Sequence, residues 1–322
     1  MRWRGRRIVP IWALALGTLT LALNGLAYSH AYRFTHLAER GRPTPRPEAL
    51  SPGEKLRALL AGPVVPKRRN RTTPAASGLS FRTQVLAAAD GAALEAWLLQ
   101  RPGSRGIVAA FHGYAGAKDS LLPHARAFLE TGYDVLLVDF RGSGGSAGQR
   151  TSLGFHEAGD VAAAFRHARS LTGGPVVLYG ESMGAAAILK AAADGAVHPD
   201  GAILECPFDR LLTTVEHRFE TYGVPVFPAA RLLVFWGGVQ QGFDALDHDP
   251  VDYARRVTAP TLLMSGADDP WVREAETRGI FAALGGPKQL VLFPGAGHGS
   301  CRTRRPWQWR AAVSAFLHRV GA

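Results

Sequence analysis

The segment Gly180-Glu181-Ser182-Met183-Gly184 places a serine between two glycines, after the apolar run Val176–Val177–Leu178–Tyr179 and before an alanine-rich stretch. That context is a strand, a sharp turn and a helix. A turn this tight holds the serine in a strained backbone conformation, and its close neighbours must lack side chains. The hydroxyl is then exposed above a sheet and at a helix N-terminus, where the dipole favours developing negative charge. A serine hydroxyl needs a base, and the base needs an orienting acid. His298 lies in Pro294-Gly-Ala-Gly-His298-Gly299, directly after the last apolar run, flanked by small residues. Asp268 and Asp269 follow the run 261–264 and the turn at Ser265-Gly266, and either can supply the acid. The chemistry this implies is acyl transfer through a serine nucleophile. A fourth element agrees: the run 107–111 ends in His112-Gly113-Tyr114-Ala115-Gly116, a turn able to aim a backbone N–H at a substrate oxygen. The expected oxyanion donors are the N–H groups of Tyr114 and Met183. His112 reads as structural.

These residues must be positioned by elements, and the chain supplies them by alternation. Two strands, 79–87 and 94–99, flank Asp90-Gly91, a hairpin signal. Strands at 107–111, 135–140, 176–179, 202–204, 261–264 and 289–293 then alternate with helices at 121–131, 156–171, 183–193, 272–284 and 306–320. Short runs of Val, Ile and Leu suit strands buried on both faces. The predicted fold class is α/β, a mostly parallel sheet with helices on both sides. In such sheets ligands bind beyond the carboxyl ends of the strands, where the candidate residues lie. Residues 207–255 interrupt the alternation and carry Phe219, Tyr222, Phe227, Phe235, Trp236 and Phe243. We read them as a small helical cap that packs its aromatics inward and lines an apolar pocket.

The set H-G-Y at 112–114, D-F-R-G-S-G-G-S at 139–146, G-E-S-M-G at 180–184, G-A-D-D-P-W-V at 266–272 and G-A-G-H-G at 295–299 resembles the α/β-hydrolase superfamily. The resemblance covers residues 80–320. It is strongest to the monoacylglycerol-lipase-like and serine-aminopeptidase-like hydrolases, including the Bem46-like group. It implies the α/β-hydrolase fold, a triad of Ser182, an Asp and His298, and no metal or organic cofactor. The pattern G-x-x-D-x-x-V of those hydrolases sets the acid at Asp269 rather than Asp268. They often carry His before that glycine; here it is Ser265, a departure that touches no catalytic role.

The formal net charge of +11 is confined to the N-terminal part. Residues 1–73 hold 14 basic and 3 acidic side chains, and the remainder holds 23 of each. A neutral body without a basic stripe excludes a phosphate-backbone binder. Residues 8–28 are uncharged and preceded by Arg2, Arg4, Arg6 and Arg7. As a helix they span about 30 Å, the thickness of a bilayer core. They read as a signal-anchor; a cleaved signal peptide, with Gly25-Leu26-Ala27 as its site, is the alternative. Arg33, Arg40, Arg42 and Arg46 follow the span, so the positive-inside bias favours a cytoplasmic N-terminus and an extracytoplasmic body. The expected organisation is an anchor over 1–40, a proline-rich basic tether over 41–78 with a short helix at 52–60, and the hydrolase domain over 79–322. The run Lys67-Arg68-Arg69-Asn70-Arg71 is expected either to lie in solvent or to touch anionic lipid.

Several motifs are set aside. Gly142–Ser146 resembles a dinucleotide fingerprint but does not open directly into a helix. Asp244, Asp247, His248 and Asp249 lack metal-ligand spacing and read as a solvated loop. Glu181 is expected to point away from the turn in a structural role. Cys206 and Cys301 form no zinc motif and either stay free or make one bridge. The sequence therefore predicts a membrane-anchored serine hydrolase acting on a small ester with an apolar group. Peptide or amide hydrolysis on the same fold, and a non-catalytic tethered binding protein, are the alternatives.

Overall fold

The computed structural model describes residues 11–45, 50–299 and 301–321. The four leading arginines, Arg46 and the start of the apolar span lie outside the described residues.

Eight strands form one sheet: β1 (Arg82–Ala87), β2 (Ala93–Leu99), β3 (Ile107–Phe111), β4 (Asp134–Val138), β5 (Val176–Glu181), β6 (Gly201–Glu205), β7 (Thr261–Gly266) and β8 (Lys288–Phe293). Their order is β1-β2-β4-β3-β5-β6-β7-β8. β1 and β2 form an antiparallel hairpin and β2 runs antiparallel to β4, whereas β4, β3, β5, β6, β7 and β8 are mutually parallel. The sheet is mostly parallel, as the alternation of elements requires. β3, the first strand of the parallel run, lies between β4 and β5, so the loops after β3 and β5 are neighbours.

Apolar residues alternate between the two faces, and helices cover both. α3 (Leu122–Glu130) and α11 (Pro306–Val320) bury Phe128, Trp309 and Leu317 with Val108, Leu137 and Tyr179. α4 (Glu157–Leu171), α5 (Met183–Ala193), the short α8 (Pro250–Ala254) and α9 (Glu274–Ala283) bury Val161, Leu189 and Ile280 with Ala109, Leu136 and Leu178. α5 carries Ala185, Ala186, Ala187 and Ala191, all buried, which lets it lie close against the sheet and against α4. Of the insert, α6 (Leu211–Thr221) and α7 (Ala229–Gln241) stand over the carboxyl ends of the strands.

The N-terminal part differs from the expected free anchor and tether. α1 (Ile11–Thr35) continues seven residues past Tyr28. Its residues before Ala27 are largely exposed, while Ala27, Ala31 and Thr35, one helical face at a spacing of four, are buried against α7. Trp236 of α7 meets the Tyr28 ring edge-on at 5.4 Å and donates from Nε1 to Asn24 Oδ1 at 3.1 Å. The next short helix, α2 (Pro52–Ala61), starts with a reciprocal capping box between Ser51 and Glu54. The run 67–71 is strapped to the body through Lys67, Asn70 and the Arg71 backbone, while the Arg69 and Arg71 side chains stay exposed. Lys67 Nζ donates to the carbonyls of Ser146 (2.6 Å) and Gly148 (3.0 Å). Asn70 Nδ2 donates to Asp139 Oδ2 at 2.8 Å, and the Arg71 N–H to Asp119 Oδ2 at 2.8 Å. The reason is local: buried carboxylates Asp139 and Asp119 need donors, and this strap provides them.

Candidate active site

β5 ends in the turn that carries Ser182. Ser182 adopts φ 50° and ψ −110°, a region that L residues rarely occupy. The turn is possible because both flanking glycines are required by contact. A Cβ on Gly180 would lie 2.5 Å from the Gly184 carbonyl carbon, and one on Gly184 would lie 2.6 Å from Phe111 O. Ser182 N–H donates to Glu205 O at 2.7 Å, extending the β5–β6 pairing through the turn and fixing its height. Met183 is the first residue of α5, so its N–H points out of the helix N-terminus without an intrahelical acceptor.

His298 arrives from the loop after β8 and Asp269 from the loop after β7. Asp269 Oδ2 accepts from His298 Nδ1 at 2.7 Å, and His298 Nε2 lies 2.9 Å from Ser182 Oγ. With the ring hydrogen on Nδ1, Nε2 is the acceptor for the serine hydroxyl. Asp269 is buried, and its Oδ1 accepts from the Trp271 and Val272 N–H groups at 2.9 and 3.0 Å. These two donors hold the carboxylate plane and keep Oδ2 for the histidine. Asp268 is exposed and its backbone N–H binds Ala296 O instead, so it ties the two loops together without reaching His298.

The loop after β3 lies against Ser182: a Cβ built on Gly113 would be 3.6 Å from Ser182 Cβ. Among the described residues, the N–H groups of Tyr114 and Met183 donate to no acceptor. His112 is fully buried, accepts the Phe140 N–H on Nε2 at 3.2 Å, and holds the Gly113 carbonyl with Nδ1 at 2.8 Å. It thereby ties the β3 and β4 loops together, and burial keeps it neutral by lowering its pKa. Asp139 organises the glycine-rich loop after β4. It pairs with Lys118 Nζ and accepts from the Lys118 and Gly145 N–H groups. A Cβ on Gly144 would clash with its carboxylate, which explains this glycine without a nucleotide.

A pocket of about 460 Å³ opens on Ser182 and His298. Its walls come from Leu153, from Leu211, Val215 and Phe219 of α6, from Leu233 and Val234 of α7, and from Phe243. Ala31, Phe34 and Thr35 of α1 complete it, and the Tyr114 hydroxyl donates to Phe34 O at 2.7 Å. Sequence reasoning missed this contribution, since nothing in an uncharged run says which of its residues leave the apolar span. The inward packing expected of the insert's aromatics holds for Phe219, Tyr222 and Phe243, which face the pocket. It fails for three others: Trp236 packs on α1, and Phe227 and Phe235 face outward, 82% and 45% exposed.

Glu181 is a further departure. It lines the pocket and also reaches a buried group beneath it. Tyr179 Oη donates toward Glu181 Oε1 (3.1 Å) and Glu205 Oε2 (3.0 Å), Trp309 Nε1 donates to Glu205 Oε2 (2.8 Å), and His124 Nε2 lies 3.3 Å from Glu181 Oε1. Burial and the neighbouring Glu205 push Glu181 up to about 8, and burial pushes His124 down to about 3. Burial raises both Glu181 and Glu205, so this pair of carboxyls holds protons more readily than two free carboxylates would. His124, Glu181 and Glu205 could gather a cation, as could Cys206, Asp269 and His298. In the second set every donor is already engaged: Asp269 and His298 with each other, the loop amides and Ser182, and Cys206 with Ser265 Oγ and Cys301. The residues 244–249 do not converge: His248 is fully buried between Tyr253 Oη and Leu153 O, rather than in a solvated loop. Cys206 and Cys301 are buried and free, with sulfurs 4.0 Å apart.

Residues 102–233 match the family model described as serine aminopeptidase, S33, and residues 240–321 match the one described as PhoPQ-activated pathogenicity-related protein. The chain is 29% identical over 212 residues to the uncharacterized protein YqkD of Bacillus subtilis, covering 64% of this chain and 69% of that protein. It is also 29% identical over 248 residues to the uncharacterized protein Rv2307c of Mycobacterium tuberculosis, covering 74% and 77%. Among solved structures, the Pyrococcus furiosus esterase Pf2001 is similar with a TM-score of 0.65 and 21% identity, over 79% of this chain and 98% of that one. The esterase EaEST of Exiguobacterium antarcticum follows with a TM-score of 0.56 and 20% identity, over 75% and 100%. At these identities the solved structures speak for the fold, and they agree with the sheet order: the chain has the α/β-hydrolase fold.

Proposed function

We propose that this chain is a membrane-anchored serine hydrolase that cleaves carboxylic esters bearing an apolar group, through an acyl-enzyme. The observation that carries the reading is the continuous hydrogen-bonded series from Asp269 through His298 to Ser182 Oγ, at the wall of an apolar pocket. In this reading Ser182 Oγ attacks the ester carbonyl carbon while His298 Nε2 takes its proton. Asp269 orients the ring and stabilises the imidazolium. The Tyr114 and Met183 N–H groups receive the oxyanion, each contributing about 3 kcal/mol to the transition state. The alcohol leaves with the proton from His298. Water then attacks the acyl-enzyme with the same base, and the carboxylic acid departs.

The N-terminal helix supports the anchor. It is 25 residues long, with mean hydropathy 1.5 in its apolar window. Its exposed part, residues 11–26, is about 24 Å long at ~1.5 Å per residue, most of the hydrocarbon thickness of about 30 Å. Tyr28, Tyr32 and Trp236 then fall where aromatic rings favour the interface. The arginine distribution favours an extracytoplasmic body. Amide hydrolysis is the second reading, favoured by the serine aminopeptidase match over residues 102–233. A fluorophosphonate probe tests the nucleophile. Wild-type protein should label and Ser182→Ala should not; labelling that survives the substitution refutes the assignment. Turnover of aminoacyl anilides without turnover of p-nitrophenyl esters would move the substrate class from ester to amide.

A further inference from the structure

Among the described residues that line the pocket, Arg218 alone carries a fixed positive charge, and no carboxylate forms an ion pair with it. It sits in the last turn of α6. Its Cζ lies 4.8 Å from the centroid of the Trp271 ring, and that ring lies 5.1 Å from the His298 ring. One indole therefore separates the guanidinium from the base. Arg218 Nε is wholly buried without an acceptor, and among the described residues the side chain makes no hydrogen bond and no ion pair. Three arginines elsewhere are matched: Arg141 with Asp160 and Asp90, Arg169 with Asp200, Arg273 with Glu220.

The groups that face Arg218 electrostatically are the phenols of Tyr114 and Tyr222 and the carboxylate of Asp269. Asp269 is already committed to His298, Trp271 and Val272. Glu181, on the same pocket, is engaged by Tyr179 and faces His124, and burial and Glu205 push its carboxyl upward, which weakens it as a counter-ion for Arg218. Burial disfavours the Arg218 cation, yet a guanidinium stays charged in proteins. A half-buried cation with no paired carboxylate gains from an anion in the pocket, and its planar fork of donors fits a carboxylate or phosphate. The remaining wall is apolar, with Phe34, Val215, Phe219, Leu233, Val234 and Phe243.

We propose that Arg218 is the anion-binding residue of this pocket, and that the substrate is an anionic amphiphile: an apolar chain with a carboxylate or phosphate group held by Arg218. The reaction class rests on the hydrolase reading above; the binding of the anion does not. The proposal makes Arg218 a specificity residue rather than a member of the proton relay.

The test uses the full chain in neutral detergent and three ligands of equal chain length: octanoate, octyl phosphate and octan-1-ol. Affinities are read twice, by calorimetry and by inhibition of p-nitrophenyl butyrate turnover. At least one anion should bind ~10–100-fold more tightly than the alcohol, as charge-assisted hydrogen bonds in a buried site allow. Which anion binds more tightly separates a carboxylate ligand from a phosphate headgroup. In Arg218→Gln the anion-to-alcohol ratio should fall to about one, and in Arg218→Lys part of it should return. Arg218→Met is the second neutral variant, should the glutamine not fold. Equal binding of all three ligands by the wild type overturns the proposal, as does a preference that survives loss of the cation. If fluorophosphonate labelling and turnover are both absent while calorimetry still shows the anion preference, the hydrolase reading fails and the anion site stands.

Discussion

Asp269→Asn separates orientation of the histidine from every other role of this residue. Asp269 uses its two oxygens differently: Oδ1 accepts from the Trp271 and Val272 N–H groups, and Oδ2 from His298. An asparagine must keep its carbonyl oxygen on the two amide donors, because its NH2 group there would face two N–H groups. The NH2 is then forced onto His298 Nδ1. That nitrogen becomes an acceptor, the ring hydrogen moves to Nε2, and Nε2 can no longer take the serine proton. Wrong-tautomer substitutions of this type lower kcat by ~10⁴, about 5.5 kcal/mol of transition-state stabilisation. The fold should be untouched, since both loop-amide bonds persist and no volume changes. The assay is kcat/KM on p-nitrophenyl butyrate with a thermal melt of the same sample. Asp268→Asn is the comparator: Asp268 is exposed and contacts the β8 loop through its backbone, so that variant should keep most of its activity. An Asp269→Asn protein with more than a tenth of wild-type activity, or an Asp268→Asn protein that loses as much, refutes the assignment of the acid.

Three other perturbations follow from the geometry. Gly184→Ala puts a Cβ 2.6 Å from Phe111 O and 3.0 Å from His112 O, both rigid backbone, so the melting temperature should drop by roughly 5–10 °C for ~2–3 kcal/mol of overpacking; a drop under about 2 °C would show that β3 yields. Glu181→Gln should flatten stability against pH: the folded carboxyl titrates at about 8 and the unfolded one near 4.5, so the folded state binds the extra proton between those values, and wild-type stability falls as pH rises through that window. Urea melts at pH 5 and pH 8 check this, and a wild type that loses no more stability between the two pH values than the glutamine variant would contradict it. Removing residues 1–36 takes Ala31, Phe34 and Thr35 from the pocket wall, so the preference for octanoyl over butyryl esters should shrink about 10-fold, the burial of one to two methylenes; an unchanged ratio means α1 does not line the bound chain.

What the sequence made legible was local. The strand boundaries at 107–111 and the helices at 183–193 and 306–320 fall where their patterns put them, because each is a run whose burial is set by its own residues. The glycines at 180 and 184 could be read for the same reason: a tight turn constrains neighbours four residues apart. The strap at 67–71 could not be read. Its binding sites are the carboxylates of Asp139 and Asp119, about fifty to seventy residues on, and a basic run looks alike whether it meets lipid, water or buried acids. The same holds for α1. Its apolar composition serves a membrane and a pocket wall equally well, and only the face formed by Ala27, Ala31 and Thr35 shows that the helix does not end at the span. If residues 11–26 lie in lipid, then Phe34 fixes the pocket within about two helical turns of the bilayer surface. An active site tied so closely to its anchor is placed to take substrates that also reside there. An amphiphile has an apolar chain for the wall that α1 completes and a charged end for Arg218. Two features that sequence alone left unconnected, a hydrophobic leader and one arginine of an aromatic-rich insert, thus describe the same ligand.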